Sequence, residues 1–203
     1  MMSDAPPLSG LEAVRDWLRA RGQTVLAPIA RVLGRLGLPP NIVSVAGMLL
    51  QIGIGVLFGS GRIVAGGWLL GVVSPLDALD GTLARLTGKA CGFGAFLDST
   101  LDRISDAALI LGVAVYHLRD AAYLELSLAL VALVASLMVS YTRARAEGLG
   151  FSCQVGWLTR PERVGLIALF CAVGLPGLLV WPLSTLSLIT VVQRIAHVAR
   201  EAR

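Results

Sequence analysis

The residues of this chain best placed to do chemistry are four aspartates, Asp77, Asp80, Asp98 and Asp102, in the stretch DALDGTLARLTGKACGFGAFLDSTLD. The segments that carry them are apolar enough to lie in a membrane, where each carboxylate near mid-bilayer costs roughly 2.5–3.5 kcal/mol. Four left uncompensated cost on the order of 10 kcal/mol, so a cation belongs among them. Asp77 and Asp80 are three residues apart, and Asp98 and Asp102 four apart, so each pair projects from one face of its helix. Gly81, Ala84 and Gly94 place small residues on the same stripes and let two backbones approach closely enough to share ions. Oxygen donors without His or Cys select Mg²⁺, Mn²⁺ or Ca²⁺ rather than zinc. Mg²⁺ keeps open positions for phosphate oxygens, and Arg85 and Lys89, just past the first pair, are cations suited to a diphosphate. A buried ion-pair network is the other use of such carboxylates, and it meets the same insertion cost.

The elements that must position these side chains are helical and membrane-embedded. Of 203 residues, 56% are hydrophobic and only 15% charged. The mean hydropathy is +0.77, beyond what an ordinary soluble domain needs. Six apolar stretches, roughly 41–59, 63–84, 93–116, 121–142, 164–181 and 183–199, predict an all-α integral membrane protein of six transmembrane helices. No sustained period-two alternation supports a barrel. Residues 1–9 read as a disordered start without the basic and apolar regions of a signal peptide. Residues 10–38 set Leu11, Val14, Leu18, Val25, Ile29, Val32 and Leu36 against five arginines, the pattern of an amphipathic interfacial helix. Residues 39–203 form the membrane domain. Within it Pro40 fixes the entry of the first span and Asn41 is a natural N-cap. Pro75 is expected to kink the second span beside Asp77, and the fifth and sixth meet where Pro176 and Pro182 crowd a turn.

With the N-terminus inside, only Arg62 and Arg119 of the arginines near spans fall on the outer side. Both termini and the aspartates then face the cytoplasm of the cell (inner) membrane. The formal net charge of +4 is therefore a topology and lipid-headgroup signal. No basic face with interleaved aromatics marks a nucleic-acid partner. Cys91, Cys153 and Cys171 form no CxxC or Cys/His cluster and read as small apolar fillers. Arg103 and Asp106, three apart, either pair with each other or line a polar cavity below the aspartates. Arg143, Arg145, Arg160, Arg163 and Arg194 fall at the cytoplasmic ends of the last three spans. Each alone fits positive-inside decoration, but together they converge on the side where the aspartates open.

The order Asp80, Gly81, two residues, Ala84, Arg85, eight residues, Gly94, three residues, Asp98, three residues, Asp102 resembles the full signature of the CDP-alcohol phosphotransferase (CDP-alcohol phosphatidyltransferase) family, which also shows the extra aspartate at Asp77. The runs DSTLDRISD, SYTRARAE, RPER and the late QR look like its phosphatidylinositol-phosphate synthase subgroup, from about residue 25 to the C-terminus. The resemblance implies two metal ions, Mg²⁺ with Mn²⁺ possible, held by Asp77, Asp80, Asp98 and Asp102, with Asp102 as general base. It implies that Gly81, Arg85, Gly94 and Asn41 bind the CDP-lipid. Ser140, Arg143, Arg145, Arg163 and Arg194 would surround the acceptor phosphate, Arg143 standing where the subgroup commonly has lysine. The implied reaction moves a phosphatidyl group from CDP-diacylglycerol to inositol phosphate with release of CMP, in a homodimer. One alternative is phosphatidylglycerophosphate synthesis from glycerol 3-phosphate, although that subgroup often carries lysine where this chain has Arg103. A serine acceptor brings no phosphate for five arginines. A divalent-cation transporter is the alternative of another class, but no matching acidic pair occurs in the second half, as inverted repeats would require.

Overall fold

The computed structural model describes residue 28 and residues 30–202. The expected disordered start at 1–9 and most of the expected interfacial helix at 10–38 lie outside the described residues, as do Arg203 and the side chains of residues 76–78. The helices are α1 (Pro40–Gly59), α2 (Ile63–Val73), α3 (Ala78–Leu86), α4 (Gly92–Arg119), α5 (Tyr123–Gly148), α6 (Arg160–Ala172) and α7 (Pro176–Glu201), with a 3₁₀ turn, Ser74–Asp77, between α2 and α3. No strand occurs among the described residues. Helices α1, α5 and α7 are long and apolar enough to cross a membrane. The 28-residue α4 is the longest, but Asp98, Asp102, Arg103 and Asp106 interrupt the apolarity of its first half. With 11 and 13 residues, α2 and α6 are only about 16–20 Å long at 1.5 Å per residue.

The helices pack as a ring in the order α1, α4, α5, α7, α6, α2, with α2 returning to α1. Its centre is one apolar cluster that includes Ile54 and Phe58 of α1, Leu70 of α2, Leu109 and Val113 of α4, Ala132 of α5, Ile167 of α6 and Leu183 of α7. Leu79 and Leu83 of α3 bury instead against Ala30, with Leu33 and Val43 at the edge. This second cluster ties the described helical residues 30–35 to the helix that carries Asp80.

The tightest helix contact is at α1 and α4, where a Cβ added to Gly55 would run into the Ala108 carbonyl and one added to Gly112 into the Gly55 carbonyl. Small residues here let two long helices touch backbone to backbone, as close membrane packing demands. Gly112→Ala is therefore expected to lower stability by about 1–3 kcal/mol, the usual cost of overpacking. Gly71→Ala, where an added Cβ meets nothing within 4 Å, should not. Thermal unfolding of the two detergent-solubilised variants checks the difference.

Three expectations about prolines and caps are corrected. The second span is not one helix over 63–84, because it breaks into α2, the 3₁₀ turn and α3. Pro75 lacks the N–H that an α-helix would use and its ring clashes one turn back, so the chain tightens locally before Asp80. The fifth and sixth stretches divide at residues 173–175 rather than between Pro176 and Pro182. Gly174 takes the left-handed φ of +73°, Pro176 opens α7, and Pro182 lies inside it. A proline at a helix start loses nothing, so Pro176 begins the element that Pro182 does not end. Finally, Asn41 does not cap α1, which starts at Pro40 with Pro39 as its N-cap and no side-chain cap bond.

Candidate active site

Three adjoining cavities meet at the aspartates. The central one, about 130 Å³, is lined by Asp80, Asp98 and Asp102 together with apolar side chains of α1 and α3 such as Val43, Met48 and Leu79. The second, about 210 Å³, shares Asp80, Asp98 and Ser44 with the first and extends to Asn41, Gly81, Arg85, Lys89 and Gly94. The third is the largest, about 600 Å³, and shares Asp102 and Arg160 with the first. Ser140, Arg143, Arg163 and Arg194 line it, with Arg103, Asp106 and Glu147.

Local structure explains these placements. Asp80 sits in the first turn of α3, 8% exposed. One of its carboxylate oxygens accepts from the Ser44 hydroxyl of α1 and the other from the Gly81 N–H at 2.5 Å. Asp98 and Asp102 lie one turn apart on α4, half-buried, and Asp102 is paired with Arg160 at 3.1 Å. Asp77 ends the 3₁₀ turn, immediately before α3; its side chain lies outside the described residues. The donor set fits a hard divalent cation, since the central cavity is lined by carboxylates and two serines, Ser44 and Ser105, with no His or Cys. Among the described residues no three such side chains yet form a ready metal cluster.

In the second cavity a Cβ on Gly94 would come no nearer than 3.6 Å to Asn41 Oδ1 and Cys91 Sγ, and one on Gly81 3.7 Å from Arg85. Nothing in the chain itself requires glycine at either position, so their smallness leaves room in the cavity. The Arg85 guanidinium is held loosely, donating to Thr82 Oγ1 at 3.4 Å. Cys91 is not the apolar filler expected of it. It is exposed and caps α4, its sulfur accepting from the Gly94 N–H at 3.4 Å, because the first turn of a helix leaves N–H groups in need of acceptors. Cys153 and Cys171 are buried as expected.

The third cavity is built around a buried ion pair. Arg163 is 1% exposed and Asp106 4%, with Arg163 Nη2 2.5 Å from Asp106 Oδ2. Arg160 approaches the other Asp106 oxygen at 3.4 Å. Asp106 therefore pairs across the bundle and not with Arg103, which donates to the Ser99 carbonyl of its own helix. Arg194, also buried, donates to the carbonyls of Val139 and Val155. Arg143 is about half exposed and pairs with Glu147 at 2.8 Å. Arg145 is not among the residues lining the cavity. It stands two positions from Arg143, about 200° around α5, and is exposed.

Arg160, one of the helix-end arginines of the sequence, and Asp106, which the sequence offers either as Arg103's partner or as lining a polar cavity, both line the third cavity, while Ser44, to which no motif assigns a role, lines the other two. The first two had a readable signal: T-R-P-E at 159–162 is a capping-box pattern, and the structure shows both of its bonds. It starts α6 at Arg160 and so puts Arg160 and Arg163 on one face of its first turn, facing whatever carboxylate α4 offers.

The family model for CDP-alcohol phosphatidyltransferase matches residues 38–198. An archaetidylinositol phosphate synthase of Methanothermobacter thermautotrophicus is 36% identical over 196 residues, covering 92% of this chain and 95% of that protein. A phosphatidylinositol phosphate synthase of Mycobacterium bovis is 38% identical over 192 residues, covering 87% of each. Among solved structures, the Mycobacterium tuberculosis phosphatidylinositol phosphate synthase with CDP-DAG bound superposes with a TM-score of 0.80 at 34% identity, covering 86% of this chain and 94% of that one. Its complex with manganese and citrate gives the same TM-score and identity, covering 86% and 88%.

Proposed function

The chain belongs to the CDP-alcohol phosphatidyltransferase family, and from that premise we propose that it transfers a phosphatidyl group from CDP-diacylglycerol to a hydroxyl of inositol phosphate, releasing CMP. The observation that carries the acceptor is the charge balance of the third cavity. Five arginines, Arg103, Arg143, Arg160, Arg163 and Arg194, face three carboxylates, Asp102, Asp106 and Glu147, leaving a surplus of two positive charges. A phosphate monoester carries about −1.5 to −2 at neutral pH, so it completes the balance. Serine and free inositol do not. Glycerol phosphate would satisfy the charge equally, and the relatives that make inositol phosphate lipids favour the inositol ester.

The other two cavities suit the donor. Arg85 and Lys89 are placed for a diphosphate, Asn41, Gly81 and Gly94 leave space for the nucleotide, and the apolar wall of Val43, Met48 and Leu79 suits lipid and excludes water. Asp77, Asp80, Asp98 and Asp102 would hold the divalent ions, two of magnesium or manganese, which when bound neutralise the diphosphate and the departing CMP oxygen. Asp102 lies where the central and acceptor cavities join, the position from which a carboxylate can take the acceptor's hydroxyl proton. The new bond is acceptor oxygen to phosphorus, the broken one phosphorus to the CMP oxygen, and the arginines fix the acceptor's phosphate so that its hydroxyl meets Asp102.

The same reading makes 10–38 an interfacial helix after a disordered 1–9, and 39–203 a domain of six crossings in which α2, the turn and α3 act as one broken crossing. The chain would sit as a homodimer in the inner membrane with the site and both termini cytoplasmic. The arginines gathered at the site end support this orientation, against Arg62 and Arg119 at the far end.

Separate titrations of donor and acceptor test the assignment. Arg143→Ala removes charge-assisted hydrogen bonds worth about 1.5–3 kcal/mol, and is expected to raise the acceptor KM roughly tenfold or more with little change for CDP-diacylglycerol. Arg85→Ala is expected to do the reverse, and Arg145→Ala neither. Equal effects of Arg143→Ala on both substrates would overturn the acceptor site.

A further inference from the structure

Arg160 is the cation at the junction of the two substrates' spaces. Among the described residues, it and Asp102 alone line both the central and the acceptor cavity. Its Nη2 is 3.1 Å from Asp102 and its Nε 3.4 Å from Asp106. Asp106 has a stronger partner of its own in Arg163, so its charge stays compensated if Arg160 leaves. The backbone at Arg160 is anchored: Thr159 and Glu162 close a capping box around it and Pro161 follows. The guanidinium is at the end of a long flexible side chain, 23% exposed. A guanidinium seated on Asp102 and a divalent ion bound to the same carboxylate repel each other, and the acceptor's phosphate offers the guanidinium another anion within the cavity it already lines.

We propose that Arg160 is a positioning residue that holds Asp102 against a divalent ion while the acceptor cavity is empty and moves to the acceptor's phosphate when that cavity fills. The inference rests on the acceptor reading above and adds an order to it: the acceptor frees the base and the metal site together. Phosphate and metal then bind with positive coupling, and by linkage each tightens the other by the same factor. An enzyme arranged this way leaves its donor intact until an acceptor is seated, which guards against hydrolysis of the diphosphate.

The test is Mn²⁺ affinity of the purified full chain in nanodiscs, read as free Mn²⁺ by electron paramagnetic resonance, without acceptor, with inositol phosphate and with inorganic phosphate. The wild type is expected to bind Mn²⁺ at least about fivefold more tightly when either phosphate is present, the lower end of typical coupling. Arg160→Gln is expected to bind Mn²⁺ more tightly by a similar factor with no phosphate present, and to show less than about twofold further tightening. Removing a nearby positive charge alone also tightens Mn²⁺ binding, so the deciding readout is the loss of coupling to phosphate, which a merely structural arginine leaves in place. Arg160→Lys, which keeps the charge but loses the fork that reaches both aspartates, should fall between the two. Unchanged or weaker Mn²⁺ binding by Arg160→Gln, full coupling retained in it, or a wild type indifferent to both phosphates overturns the proposal. If inorganic phosphate couples to Mn²⁺ and inositol phosphate does not bind, the Arg160 hold stands and the inositol phosphate reading alone falls.

Discussion

Asp98→Asn is expected to abolish CMP release with every acceptor while the protein still folds. Asp98 lines both the central and the donor cavity, so it faces the place where the diphosphate and its counter-ions meet. Asparagine has the same shape and leaves α4 undisturbed, but lacks the charge that compensates a divalent ion. Loss of a partner behind a metal ligand already costs roughly 10–100-fold in affinity or activity, and loss of a ligand itself is expected to exceed a hundredfold. CMP release measured at saturating Mg²⁺ and again at saturating Mn²⁺ separates weakened binding from lost chemistry. Near-wild-type turnover in either would remove Asp98 from the site.

The second large effect falls on stability. Arg163 and Asp106 are both nearly inaccessible and face each other across α6 and α4. Truncating Arg163 to Ala leaves a buried carboxylate with Arg160 as its remaining cation, at 3.4 Å, and breaking a buried pair from one side typically costs about 3–5 kcal/mol. Arg163→Ala is therefore expected to lower the melting temperature sharply, and any loss of acceptor use in it would be confounded by unfolding. Replacing both members by apolar residues of similar volume, Arg163→Met with Asp106→Leu, removes the stranded charge and should recover most of the stability without restoring acceptor binding. A double variant as unstable as Arg163→Ala would show that the pair is held by something other than mutual compensation. Unfolding midpoints of the wild type, the single and the double variant decide it.

Much of the donor side was legible in the sequence, because its residues are close together in it. The spacing of four puts Asp98 and Asp102 on one stripe of α4, and the cost of carboxylates in apolar helices points to cations. The spacing of three does not put Asp77 and Asp80 on one helix, because the 3₁₀ turn at Pro75 ends at Asp77 and α3 begins at Ala78. The same 3.6-residue period could have separated Arg143 from Arg145, which face different directions on α5, yet charge alone grouped them. The Pro176 and Pro182 boundary was not legible from composition: proline is compatible with the first turn of a helix and is tolerated inside a packed one, and only Gly174 in its left-handed conformation distinguishes the two. Asn41 reads as a cap in sequence because the pattern fits, whereas Pro39 and Pro40 already set the helix start and leave its side chain to the cavity. The Asp106 and Arg163 pair joins residues 57 positions apart, and no local pattern carries that information.

The central claim is tested most directly by the product of a competition. The purified chain would be given CDP-diacylglycerol, Mg²⁺, and inositol phosphate and glycerol phosphate in equal amounts, with CMP quantified and the product lipids resolved by mass. An inositol phosphate transferase yields one CMP per phosphatidylinositol phosphate and little phosphatidylglycerophosphate. CMP accompanied only by phosphatidylglycerophosphate, or no CMP at all, would contradict it.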